Sequence, residues 1–373
     1  MTGGSERQQN KMTTSSSKNI AASLLLAGLA LAHQSHAQSL TEVTIAGGNG
    51  SSSWVWNQVT NFFGGSTTVK TVGSTSSTAV RSFQGYLASL PGTSPNVQLD
   101  FILNGAVGGL QDLINGNMET NALGVATNVP TVVISSTTPD AVGLSSSGLS
   151  EVKTLITPYA FIKSPLAALT PGLTTVTNLT QREAAYLEGS AGPNFHSAFI
   201  GGLYTNDAVY FVGRNTASAV RTETDANIYF TGTLATYTTN SSGQPVLDPA
   251  GGQSSGSPIR VLVNLLTNAI GTVAWQDVKT NIALAYEGAP LTVSNVITGA
   301  YPLWGYEHYY WISTGSSAPT PAQLTVITNL LYGVTNPVSQ FSSSYSSIFT
   351  NSFLAYPELK VQRAFDGGPI TWQ

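Results

Sequence analysis

The sequence predicts an α/β protein. Three times along the chain a β-rich apolar run gives way to a glycine- or hydroxyl-rich loop and then to apolar residues at helical spacing, the pattern of parallel strands covered by helices. The composition fits a folded chain with an uncharged polar surface: 373 residues, 41% hydrophobic and only 9% charged, against roughly 25% charged in an average soluble domain. Its length is enough for two or three domains.

The first 37 residues read as a secretory signal, with Lys11 and Lys18 ahead of "IAASLLLAGLALA" and the small-residue cleavage site "SHA" ending at Ala37. That apolar run is short for a bilayer span. Cleavage places the mature start near Gln38 and leaves 11 Lys and Arg against 17 Asp and Glu, a net charge of −6. With no basic stripe to neutralise phosphates, no nucleic-acid partner is expected. Cysteine is absent, which excludes disulfides, thiol chemistry and lipidation at an N-terminal cysteine. A periplasmic, secreted location is expected.

The elements follow in order. "TEVTIAG" is a strand, "GGNGSSS" its loop, and "WVWNQVTNFF" carries Trp54, Val55, Val59, Phe62 and Phe63 on one helical face. "VQLDFILN", "GAVGG" and "LQDLINGN" repeat the unit, with Leu110, Leu113 and Ile114 at helical spacing. The third unit is "AVYFVG", "RNTASA" and "VRTETDANIYF". Between and after them, "VPTVVISSTTP" is β-rich, "TLITPYAFIKSPL" is a connecting strand holding two prolines, and "NLTQREAAYLEG" is a capped helix. "GQPVLDPAGGQSSGSPI" is expected to be a mobile polar loop. "RVLVNLLTNA" is helical, and the aromatic run "YPLWGYEHYYWIS" precedes a last helix from Pro321.

The three loops sit at the carboxyl ends of predicted strands, where open α/β sheets hold ligands, and at helix starts, whose free N–H groups favour an anion. Arg214 is the one arginine placed there, a fork-shaped donor suited to a tetrahedral oxyanion. A structural ion pair with Glu223 or Asp225 is the competing reading.

The collinear set "IAGGNGSSS", "FILNGAVGGLQDLINGN", "VVISSTTP", "LITPYAFIKSP", "NLTQREAAYLEG", "YFVGRNTASAVRTETD", "AIGTVAWQDV" and "YPLWGYEHYYW" resembles the periplasmic phosphate-binding proteins of ABC transporters, from about residue 43 to the C-terminus. The resemblance implies a type II periplasmic binding protein, two α/β domains closing like a flytrap about two hinge crossings. Residues 38–157 plus 303–373 would form domain I and residues 158–302 domain II, with the chain leaving near Pro158 to Pro165 and returning near Pro302 to Trp311. It implies phosphate or a related oxyanion as ligand, an ABC permease as partner, a monomer, and no cofactor or metal.

Carried over position by position, it assigns ligand contacts to Gly50, Ser51 and Ser52 in the first loop and to Gly105, Ala106 and Val107 in the second. It adds Thr137 after the next strand and Arg214, Thr216, Ser218 and Ala219 in the arginine loop. The chain departs from the family at six of its positions: Ala106 and Val107 replace a serine loop, Thr137 and Thr216 replace aspartates, and Ala219–Val220 replaces Gly-Thr. A buried aspartate would admit hydrogen phosphate and repel proton-free sulfate, so these departures leave open a non-transport surface or binding protein with an altered ligand.

Catalysis is not expected. Of His33, His36, His196 and His308 the first two leave with the signal, and no nucleophile elbow or P-loop lysine motif occurs. The aromatic run from Tyr301 to Trp311 offers a sugar-stacking platform in principle, but reads better as core and hinge packing.

Overall fold

The computed structural model describes residues 40–48, 59, 62–63, 70–72, 79–103, 105–125, 129–166, 171–335, 354–355 and 359–372. The expected signal segment, the helix of residues 54–63 apart from three positions, and Gly50, Ser51 and Ser52 lie outside them.

Strand β1 (Thr41–Gly47) is the axis of the first wing of the sheet. It runs parallel to β4 (Val97–Ile102) on one side and β5 (Val132–Ser135) on the other, with Ile45 opposite both Phe101 and Val132. Every residue of β4 and β5 is buried, which is why these segments read as unbroken apolar runs rather than alternations. The edge departs from the parallel expectation, because β3 (Val80–Gly85) pairs antiparallel with β4 and β2 (Lys70–Val72) antiparallel with β3. Helix α1 (Ala106–Asn115) lies against this wing, burying Leu110 and Leu113 among Ala46, Val133 and Tyr310. Each such leucine contributes about 1.5–3 kcal/mol.

The second wing is built the same way. β8 (Ala208–Val212) runs parallel to β9 (Ala269–Ala274), and β7 (Gly192–His196) is the antiparallel edge. Helices α2 (Gln181–Ser190), α3 (Ala219–Ile228) and α4 (Gly256–Leu266) accompany it. The expected cap of α2 is present as a reciprocal pair, Thr180 accepting from the Glu183 amide while Glu183 accepts from the Thr180 amide.

Two long strands join the wings. β6 (Leu149–Lys163) pairs antiparallel with β10 (Trp304–Ile312) as far as Pro158, then changes partner, and Tyr159–Lys163 pair with β9. The sheet order is therefore β2-β3-β4-β1-β5-β10-β6-β9-β8-β7, with Ile282–Ala283 and Leu354–Ala355 also paired to β6. The prolines of "TLITPYAFIKSP" fit because Pro158 stands at the partner switch and Pro165 beyond the strand end. Tyr301, Trp304, Tyr306, Tyr309 and Tyr310 are buried and only Trp311 of the run's large rings is partly open, so this aromatic run is core.

After helix α5 (Val293–Ile297), strand β10 and helix α6 (Pro321–Thr335), the chain ends in a hairpin of β11 (Val361–Gln362) and β12 (Thr371–Trp372). Between its strands Arg363 reaches inward, its guanidinium 4.2 Å from the Trp304 ring centre and donating to the carbonyls of Trp304 and Pro302 and to the Asn227 side chain.

Gly47 closes β1 at φ +143, and a Cβ there would overlap the Ile134 carbonyl of β5. Gly47→Ala is expected to cost about 2–4 kcal/mol, strain and overpacking together, read as a lower urea midpoint; an unchanged midpoint would contradict this close approach.

Candidate functional site

Helix α1 starts directly beyond β4, at Gly105, whose amide donates to the Gly47 carbonyl at the end of β1. No side chain caps it. A Cβ placed on Gly105 or Gly108 would meet nothing within 4 Å, so there is open space at this helix start. Ala106 and Val107 are buried and carry no polar group, which leaves backbone N–H groups as the donors here. Thr137 follows the neighbouring strand β5, fully buried, its amide accepted by the Ser135 hydroxyl at 3.1 Å and its own hydroxyl without a partner.

In the second wing α3 leaves the carboxyl end of β8 in the same manner. Ser218 occupies its N-cap with an amide bonded to Asn215, but its hydroxyl is buried and unpartnered. Ala219 is buried, whereas Thr216 is exposed on the loop. Arg214 does not pair with Glu223 or Asp225. Its Nε donates to the Gln253 carbonyl at 3.1 Å and one terminal nitrogen to the Ser254 carbonyl at 2.8 Å, while Asp225 accepts from Arg221 at 3.4 Å. Burial brings the Arg214 guanidinium down to about 10, with Asp277 acting in the opposite sense, so it is cationic at neutral pH. The polar segment expected to be a mobile loop is thus tied to the arginine at residues 253–254, and main-chain bonds between 213–215 and Gln253 reinforce it.

The residue that relates the two wings is one the sequence offered only as an ion-pair partner. Glu223 of α3 is fully buried and neither carboxyl oxygen has a hydrogen-bond partner. It lies beside Thr137, whose hydroxyl favours its ionised form without closing a hydrogen bond of ordinary geometry. Burial, then the Asp366 charge, push its pKa well above the usual carboxylate range; Thr137 and Arg363 act against them, and Glu307 adds to the rise. Thr137 and Glu223 bring the first wing against the second. Arg214 is turned toward residues 253–254 of its own wing.

An ionic chain runs from buried Asp366 through buried His308 to Glu151 at the surface. His308 of β10 is held between Glu151 of β6 at 2.5 Å and Asp366 of the C-terminal segment at 2.7 Å. Burial pulls the imidazolium pKa down, but hydrogen bonds to Asp366 and Glu151 and their charges overcome it and bring it up to about 9; the same contact with His308 lowers Glu151. A base whose pKa is raised on folding stabilises the fold fully below its unfolded value and loses that contribution as pH climbs through the folded value. The contribution of about 3 kcal/mol should therefore be present near pH 6.5 and vanish above about 9. Urea unfolding of wild type and His308→Gln at both ends of that window checks it; parallel pH profiles would contradict it.

None of Glu223, Tyr159, Glu307, His308, Arg363 or Asp366 was singled out as a site residue by sequence reasoning. One signal was available for Glu223: the buried residues of α3 are 219, 220, 223, 224, 227 and 228, an i, i+4 stripe that puts a carboxylate and an asparagine on the inward face. Among the described residues no group of three or more His, Asp or Glu is placed to hold a metal ion, and no helix is long and apolar enough to cross a membrane.

No family model matches the sequence, and no curated protein matches it. Solved structures do. A candidate phosphate ABC transporter substrate-binding protein from Clostridium perfringens, solved with bound phosphate, superposes over 84% of this chain and 99% of its own with a TM-score of 0.51 at 16% identity. An ABC-type phosphate transport receptor from Vibrio cholerae covers 82% of this chain and 96% of its own, with a TM-score of 0.49 at 17% identity. PstS from Borrelia burgdorferi covers 84% and 98%, with a TM-score of 0.45 at 14% identity. The chain is similar in fold to the Clostridium perfringens protein, a mixed α/β architecture that here is built on one large sheet in which β6 and β10 join the two wings.

Proposed function

We propose that this chain is a secreted, periplasmic solute-binding protein that captures a small oxyanion, phosphate foremost, between its wings and delivers it to an ABC permease as a monomer without covalent chemistry. The observation that carries the reading is the pair of helix starts, α1 at Gly105–Val107 and α3 at Ser218–Ala219, both beyond the carboxyl ends of parallel strands and both lacking a side-chain cap. Each has a second feature that points outward to a ligand: open space before α1, and the unpartnered hydroxyls of Thr137 and Ser218 nearby. Arg214 supplies positive charge beside α3. Its Nε and one terminal nitrogen are committed to carbonyls, and the rest of the fork is the part that would meet the anion. Gly50, Ser51 and Ser52 belong to the same proposal by their place after β1.

Domain I is proposed as residues 38–157 plus 303–373 and domain II as 158–302, with closure favoured because ligand contacts from both wings exist only in the shut form. Titration calorimetry of residues 38–373 with phosphate, sulfate and molybdate tests the capture. Saturable binding of an oxyanion is expected. The buried acids Glu223, Glu307 and Asp366 favour a second reading, a non-transport binding protein for a less charged ligand; heat with short oligosaccharides and none with any oxyanion would select it.

A further inference from the structure

Glu223 has no role in the assignments above, yet a fully buried carboxyl group with two unpartnered oxygens is costly unless it is neutral or meets a partner absent from the free protein. Its surroundings show which. It lies one helical turn, about 6 Å, inside α3 from Ala219, and helix side chains tilt toward the N-terminus, so the carboxyl is carried back toward the helix start. Gly305 of β10 makes the room: a Cβ there would stand 3.0 Å from both the Glu223 Oε2 and the Tyr159 hydroxyl. The groups facing it are Thr137 from the loop after β5, Tyr159 from β6, Glu307 from β10, and Asp366 and Arg363 from the C-terminal segment. Against one arginine stand two further acids and a phenol, a balance that disfavours a third negative charge in that space.

Resting on the capture reading, we propose that Glu223 is a ligand-facing group of the site, held as the neutral acid and donating its proton in a hydrogen bond to an oxygen of the bound anion beside Thr137 and Ser218. A neutral carboxyl is a donor where a carboxylate would repel an anion, and burial keeps it so, as burial and like charges do wherever a carboxylic acid serves as donor near neutral pH. The direction of the pKa shift at Glu223 agrees with this state. Capture would then weaken with alkalinity, because ionising Glu223 removes a donor and adds repulsion.

The test compares wild type and Glu223→Gln, whose amide keeps a donor that cannot ionise, in phosphate titrations between about pH 6 and about pH 9. Phosphate's own ionisation is common to both proteins, so the readout is the ratio of wild-type to variant Kd. Near-equal affinities are expected at the acid end, with the ratio rising by one factor of ten for each unit by which pH passes the carboxyl pKa in the unliganded protein; Glu223→Leu, which removes the donor, is expected to bind about tenfold more weakly than wild type at the acid end. Glu223→Leu binding as tightly as wild type at the acid end overturns the donor role alone. No binding by wild type at any pH overturns the capture reading and the donor role with it. A Glu223→Gln protein that binds more weakly than wild type at the acid end also overturns the donor role, since an amide donor should replace the acid there.

Discussion

Asp366→Ala is expected to destabilise the protein by about 3–5 kcal/mol, the cost of removing one partner from a buried ion pair. Its side chain is 3% exposed, accepts from the Tyr306 amide at 3.1 Å and meets His308 at 2.7 Å. Truncation removes an acceptor of the Tyr306 amide, leaves His308 with Glu151 as its remaining carboxylate, and takes the largest counter-charge from Arg363. Asp366→Asn should cost less, because an amide oxygen can still accept from Tyr306 while the imidazolium loses a charged partner. The pH profile supplies a second readout. Without Asp366 the His308 pKa falls from about 9, so the alkaline loss of stability begins at lower pH in both variants. Urea midpoints across pH check this; a midpoint within error of wild type for Asp366→Ala would mean that the C-terminal segment does not brace β10.

Arg214→Ala is expected to weaken oxyanion binding by roughly 10- to 150-fold, the equivalent of one charge-assisted hydrogen bond of about 1.5–3 kcal/mol. The side chain also ties the turn at Gln253–Ser254, so the thermal midpoint should drop slightly as well, by about 1 kcal/mol equivalent. Arg214→Lys separates the two effects. A lysine keeps the charge and loses the planar fork, so it should recover part of the affinity and little of the turn's anchoring. Calorimetry with phosphate reads the first and thermal unfolding the second; Arg214→Ala with unchanged affinity would remove the arginine from the site and leave the helix starts to hold the anion.

What the sequence made legible follows from where its signals are local. Strand, loop and helix in "VQLDFILNGAVGGLQDL" and "AVYFVGRNTASAVRTETD" are each set by neighbouring residues; α3 begins one residue ahead of the expected "VRTETDANIYF", whereas α1 begins at Ala106, four residues ahead of "LQDLINGN" and within the expected glycine loop. The cap at Thr180 and Glu183 is likewise a matter of three-residue spacing. The antiparallel edges β2, β3 and β7 were not legible, because strand direction depends on the path of the chain between strands and not on the residues within them. The partner change of β6 at Pro158 was legible only as a proline in a strand. Least legible was the charge chain through His308. Glu151, His308 and Asp366 are separated by 157 and 58 residues, and nothing local to any of them announces that three elements bring them within hydrogen-bonding distance. Glu223 entered the sequence reading only beside Asp225 as an alternative ion-pair partner for Arg214; its packing against Gly305 and Tyr159 is a tertiary feature.

The most direct measurement is a crystal structure of residues 38–373 grown with phosphate. Density for the anion is expected between the start of α1 and the start of α3, in contact with the backbone of Ala106–Val107 on one side and with Ser218 and the Arg214 guanidinium on the other. An anion found elsewhere, or a closed crevice already filled by the Thr137 and Glu223 side chains with no anion between the helix starts at saturating phosphate, would contradict it.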